Sequence, residues 1–211
     1  MSVAGEAERF AQQAHQFAEA ASGLDDLALL DPSLCRGWSR LDLVVHVRLG
    51  LEEMAAGLGV RADDAPDHDD VTYWSSFAAD EQDPVPGHMW LRRTASAYAR
   101  PTDATAHLRD AAERACAASA LQDPRPVRFQ GKVLSVMDFL RTWSVELALH
   151  LVQLDVGVVP SAAGLARRTL EALTGAPLPV RLTDHSALRV ALGADPWPAD
   201  EPGGGAYPLG L

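Results

Sequence analysis

Glu146 and His150 stand four residues apart in the apolar run RTWSVELALHLVQLD, and His46 stands in a second apolar run, LDLVVHVRLG. On a helix, positions i and i+4 share a face at about 5–6 Å, so Glu146 and His150 can converge on one ion, with His46 facing them from another helix. Two imidazoles and a carboxylate are a sound ligand set for zinc or a similar metal, and they leave a coordination position open for chemistry. The Glu-x-x-x-His spacing is common and weak by itself. A single histidine on an apolar helix is more often a hydrogen-bonded core residue, and Glu146 with His150 could equally be a surface pair. Against the surface reading, Leu147, Leu149 and Leu151 leave few solvated positions around them. An unpaired buried carboxylate is costly, and a ligand role removes that cost.

These residues need rigid elements to position them. Ser39 followed by Asp42 is a Ser-x-x-Asp variant of the capping box and opens a helix over about 40–58, with His46 in its second turn. Ser135 with Asp138 repeats the signal and opens a helix over about 136–155 that carries Glu146 and His150. Phe10, Ala14, Phe17 and Ala21 recur at helical spacing and predict a first helix over 4–22. An Ala-rich pattern predicts another over 103–120, capped by Asp103, and shorter helices are expected over 70–80 and 87–99, the latter closed by Pro101. The segment VRFQGKVLS alternates around Gly131 as a short hairpin does. Four long helices with short connections predict a bundle, a fold that builds metal sites from inward-facing side chains.

Beyond Gly157 the pattern changes. One more short amphipathic helix ends at Gly175 and Pro177, VRLTDHSALRVALG alternates like two short strands, and the tail is rich in Pro and Gly. The expected organisation is a bundle over 1–157 and a small C-terminal α/β appendage over 158–211. The composition, 47% hydrophobic and 22% charged over 211 residues, suits a folded domain with a real core. A net charge of −11 argues against nucleic acid. No run is long enough for a membrane span, and the N-terminus lacks a signal-peptide pattern. Two cysteines make no disulfide framework, so a cytoplasmic location is expected.

The segment CRGWSRLDLVVH resembles the stretch Cys-x-Gly-Trp-(Ser/Thr)-x-x-Asp-(Leu/Val)-x-x-His of mycothiol-dependent maleylpyruvate isomerase-like proteins, which belong to the DinB-like superfamily of metal-binding four-helix bundles. RTWSVELALH resembles that family's second signature, and the resemblance extends over roughly the whole chain. It implies a DinB-like bundle with His46, Glu146 and His150 as metal ligands. It also implies mycothiol, a thiol of actinobacteria, as cosubstrate. Two departures are visible. Many members carry Asp three residues after the second histidine, where this chain has Gln153, and the C-terminal domain of the isomerases is expected here in a shortened or replaced form.

The metal expected is zinc, with nickel and iron as alternatives. A thiol bound at the open position of such a cation loses its proton, and the thiolate is the nucleophile. If the product keeps the sulfur, the enzyme is an S-transferase acting on an electrophilic small molecule, which is the leading expectation. If the adduct rotates and expels the thiol, it is a cis–trans isomerase of a maleylpyruvate-like diacid. A non-catalytic bundle that binds a metal or small molecule is the third reading. No nucleic-acid or membrane partner is expected, and the chain is read as a monomer or homodimer.

Other residues rank lower. Cys35 precedes a helix start, where a thiolate is favoured, yet packing is the commoner role, and Cys116 reads as packing. His68 reads as solvated, and His15, His88, His107 and His185 show no ligand spacing. Trp38 and Trp143 read as wedges between helices with a pocket role open to either. Arg92, Arg93 and Arg141 are candidates for an anionic group, though surface pairing is the more ordinary role.

Overall fold

The computed structural model describes residues 2–75, 85–121, 123–201 and 204–207. Its long helices are α1 (Val3–Ser22), α3 (Arg40–Gly57), α6 (Pro101–Ser119) and α7 (Val136–Gln153). Shorter ones are α2 (Asp26–Leu30), α4 (Thr72–Ser75) and α5 (Val85–Ala95). The helix expected over 70–80 is seen as α4, and its positions 76–80 lie outside the described residues. Strands β1 (Val127–Phe129) and β2 (Lys132–Leu134) pair antiparallel, Val127 opposite Leu134. Gln130 and Gly131 both have positive φ in the two-residue turn between them, the geometry that matches strand twist in tight hairpins. The protein is mainly helical, a DinB-like bundle with a short hairpin.

The start signals act as read for the two helices that matter most. Ser39 Oγ accepts from Asp42 N–H, and Asp42 Oδ2 accepts from Ser39 N–H at 2.9 Å, a complete capping box. Ser135 Oγ accepts from Asp138 N–H at 3.0 Å. In α6 the assignment shifts. Pro101 opens this helix rather than closing the one before it, because its ring pre-sets φ for a first turn. Asp103 is therefore not the cap but lies inside the first turn, accepting from Arg100 N–H at 3.1 Å.

Helices α3 and α7 run antiparallel. Gly57 meets Phe139, Gly50 meets Trp143 and His46 meets Glu146, so the contacts climb one helix as they descend the other. The two glycines give room for aromatic rings. A Cβ on Gly57 would stand 2.7 Å from Phe129 Cδ2, and one on Gly50 would stand 3.0 Å from Trp143 Cζ3.

Helix α7 is buried on two sides. Phe139, Leu140, Leu147 and Leu151 join the bundle core, while Val145, Ala148, Leu149 and Val152 join a second core. That second core is completed by α8 (Ala163–Thr174), α9 (Asp184–Ala191) and Tyr207. The strands expected over 180–193 are not formed, since that stretch contains α9, begun by Thr183 Oγ1 accepting from Ser186 N–H. Ala187, Leu188 and Ala191 fall on one helical stripe, and a run this short satisfies both periods. The appendage is thus helical rather than α/β among the described residues. Gly175, with φ +65°, ends α8 as expected. In the tail, Tyr207 stacks on Trp197, while 202–203 and 208–211 lie outside the described residues.

Candidate metal centre

The carboxylate and imidazoles singled out by spacing come together. One ligand atom from each of His46, Glu146 and His150 lies within 4.8 Å of the others. Glu146 Oε1 sits 3.0 Å from His150 Nε2 and 3.6 Å from His46 Nε2, between the two rings. Those rings lie edge to face with centroids 4.9 Å apart. His150 is buried, Glu146 is half-buried, and His46 is the most accessible of the three, so the triad opens on the His46 side.

Several contacts set this register. The loop before α3 is tied to the end of α7: Leu34 N–H donates to the Gln153 carbonyl at 2.8 Å. Arg40 Nε donates to the Leu154 carbonyl at 3.0 Å and Arg40 Nη2 to the Asp155 carbonyl at 3.3 Å. A cation on the last carbonyls of a helix satisfies groups that lack intrahelical partners. Arg40 thus clamps the start of the His46 helix to the end of the His150 helix. Its position directly after the Ser39 cap was the only signal in the sequence.

His150 is oriented on its far side by Gln153, whose Oε1 lies 2.7 Å from Nδ1. An amide oxygen only accepts, so Nδ1 carries the proton and Nε2 faces Glu146. Cys35 lies close enough to His150 to act on its charge, which places the loop cysteine beside the site. Burial alone would lower the affinity of His150 for a proton, but the Glu146 carboxylate outweighs it and holds the imidazolium well above its usual range. Burial alone would likewise raise Glu146, yet His150 and His46 keep it below the ordinary carboxylate range. Without a metal Glu146 and His150 therefore form a hydrogen-bonded ion pair, with His46 Nε2 3.6 Å from the same carboxylate oxygen.

The walls are aromatic. Trp38 lies 4.9 Å from His46 between ring centroids, and His88 of α5 meets the other edge of Trp38 at 5.4 Å. The Tyr73 hydroxyl, near enough to Glu146 to feel its charge, donates to Gln130 Oε1 at 3.0 Å, and Gln130 Nε2 donates to Glu53 at 3.2 Å. Burial chiefly, with Glu146 and Glu53 adding to it, pushes the Tyr73 phenol up, so it stays a neutral donor. His88 and Tyr73 were missed as site neighbours, because tertiary packing alone brings them there.

Most of the remaining candidates are engaged elsewhere. Arg141 donates to buried Glu6 at 3.0 Å and to Asp138 at 3.3 Å. Arg92 donates to the Gly37 carbonyl at 2.5 Å, beside the Trp38 loop. His68 is not simply solvated: its Nδ1 pairs with Asp67 at 2.7 Å. His15 pairs with Glu113, and His107 with Tyr98 and Glu52. A cleft of about 360 Å³ is lined by Arg9, Asp70, Arg141 and Arg168. None of the triad lines it, and Glu6, placed between Arg9 and Arg141, takes up much of its charge.

Comparison with known families decides the assignment. Residues 10–155 match the family described as the mycothiol maleylpyruvate isomerase N-terminal domain. The chain belongs to this family. The matched region contains the whole triad and both capped helices, and it ends at Asp155, two residues beyond Gln153. No curated protein and no solved structure matches the chain. Among the described residues no helix is long and apolar enough to cross a membrane.

Proposed function

We propose that this protein is a metal-dependent enzyme that transfers mycothiol to an electrophilic small molecule, with His46, Glu146 and His150 holding the metal. The observation that carries the reading is the convergence of these two imidazoles and one carboxylate in a chain of the mycothiol family. The donor set fits a borderline cation such as zinc, which takes neutral imidazole and carboxylate ligands and keeps a further position open in catalytic sites.

A metal held there supplies a Lewis-acidic position at which a thiol gives up its proton near neutral pH. The chain does the rest. Gln153 keeps the proton of His150 on Nδ1, so Nε2 is free to bind. Glu146 offers its oxygen from between the two rings and offsets part of the cation's charge. Trp38 borders the centre with ring surface, which limits water around a nucleophile and leaves it less solvated. The segment over 158–211 forms an appendage whose helices α8 and α9 pack on the far side of α7.

The family's description favours a second reading, a thiol-dependent cis–trans isomerisation of a diacid. Stoichiometry separates the two. A transferase consumes one thiol per turnover and yields a stable conjugate, whereas an isomerase regenerates the thiol.

The first test is a calorimetric titration of mycothiol into zinc-loaded protein, beside metal-free protein and a His150→Ala variant. Metal-dependent binding with proton release supports the thiol-enzyme reading. Stoichiometric zinc with no thiol binding would falsify it and leave a metal-binding bundle.

A further inference from the structure

Two buried hydrogen-bond donors flank the triad with nothing to donate to. Among the described residues the indole Nε1 atoms of Trp38 and Trp143 are buried and lack a hydrogen-bond partner. Folded proteins leave few buried donors unpaired, because each forfeits its bond to water. Trp143 itself is only 8% exposed. It stands one turn before Glu146 on α7, and its benzo edge rests on Gly50, one turn after His46 on α3. The indole therefore spans both helices that carry the triad, directly beside it. Trp38 covers the other side of His46 at 4.9 Å. Trp74 also has an unpaired indole nitrogen, but it belongs to α4, outside the two helices that carry the triad, and its ring meets Tyr73 and packs between the two cores.

Packing explains the size of the ring at position 143 but not its N–H. The indole fills the space between Phe129, Phe139 and Gly50, with centroid distances of 5.9 and 6.3 Å to the two phenyl rings. What tryptophan adds over phenylalanine, besides area, is one N–H donor.

We infer that Trp38 and Trp143 are specificity-determining residues whose indole N–H groups donate to oxygen acceptors of the ligand bound at the triad, selecting a thiol that carries carbonyl or hydroxyl oxygens over a bare alkyl thiol. This rests on the thiol-binding reading above. Trp143 sits on the helix that carries Glu146 and His150, and Trp38 directly precedes the cap of the helix that carries His46, so they recognise the part of the molecule nearest its sulfur. A site built to hydrogen-bond an oxygen discriminates against analogues lacking it, since the donors are then left unpaired.

The test compares zinc-loaded wild-type, Trp38→Phe and Trp143→Phe proteins, titrated with mycothiol and, separately, with ethanethiol, which has no oxygen. The expected result is unchanged zinc stoichiometry and unchanged ethanethiol affinity, with mycothiol binding weakened roughly five- to tenfold in each variant. In wild-type protein carrying ¹⁵N-labelled tryptophan, mycothiol should also move the Trp38 and Trp143 indole proton resonances downfield, and ethanethiol should not. That spectrum decides the matter if a variant fails to fold. Equal losses for both thiols would mean a packing effect and would overturn the inference. Mycothiol binding with unmoved indole resonances would overturn it while leaving the thiol reading intact. Failure of zinc-loaded wild-type protein to bind mycothiol would bring down both.

Discussion

His150 Nδ1 and Gln153 Oε1 lie 2.7 Å apart, one turn from each other on α7, and both side chains are buried. Gln153 stands where the resemblance leads one to expect aspartate, and its amide oxygen can orient a metal-bound histidine as a carboxylate would. A carboxylate and an amide oxygen both accept the Nδ1 proton, and only the carboxylate adds charge. The Gln153→Leu variant should therefore bind zinc 10–100-fold more weakly, the usual cost of losing an outer partner of a ligating histidine. Gln153→Glu should retain most of the affinity. Competition with a chromophoric chelator measures both, and an unaltered zinc affinity in Gln153→Leu would remove the orienting role.

Metal binding at this site should be proton-coupled. In the metal-free protein His150 is held as an imidazolium by Glu146, and a cation must displace that proton. Zinc affinity is expected to fall as pH is lowered through the neutral range, and binding should release close to one proton at pH 7. Titrations in buffers of different ionisation enthalpy count the protons. The sign for folding runs the other way. His150 is raised, so its contribution to the stability of the metal-free protein is complete below about pH 6.5 and lost as pH rises through the raised value. Glu146 is lowered, so its contribution is present above the ordinary carboxylate range and lost in strong acid. Metal-free protein should thus lose stability on the alkaline side, which denaturant melts at pH 7 and pH 10 would show.

Much of this arrangement was legible in the residues. The two Ser-x-x-Asp starts fixed where the α3 and α7 helices begin, and the i, i+4 spacing put Glu146 and His150 on one face. The helical stripe of Phe10, Ala14, Phe17 and Ala21 is buried as its period required. What could not be read was tertiary. His88 and Tyr73 reach the site from segments with no ligand spacing, and Arg40 acts through backbone carbonyls more than a hundred residues away in sequence. Short alternating runs carry the least information, and Asp184–Ala191 folded as a helix because its apolar residues fit that period as well.

Buried Glu6 ties α1 to α7. It is fully buried, with Arg9 at 2.5 Å and Arg141 at 3.0 Å, whose side chains are each about a quarter exposed. Replacing Glu6 by alanine leaves two partly desolvated guanidinium groups without their shared carboxylate. A loss of roughly 3 kcal/mol is expected, near the low end for breaking a buried pair because the arginines retain some solvent. Urea unfolding of metal-free protein measures it, and a change under about 0.5 kcal/mol, ordinary for a surface site, would show that the pair is solvated.

Gly57 tests whether the spacing between the two helices that carry the triad is set by ring packing. In an exposed helix, Gly→Ala stabilises by roughly 0.5–1 kcal/mol, because alanine has less backbone freedom to lose. At Gly57 the added methyl would meet Phe129 Cδ2 at 2.7 Å and lie 3.5 Å from Phe139 Cζ, so the rings must move. Overpacking of a filled core costs about 1–3 kcal/mol, which exceeds the propensity gain and reverses the sign. Gly57→Ala should be less stable than wild type. Because Phe129 and Phe139 also contact Trp143 beside the triad, the variant should bind zinc more weakly in the same preparation. Stability lost with zinc affinity unchanged would mean that α7 absorbs the strain locally and that the aromatic stack does not position the ligands.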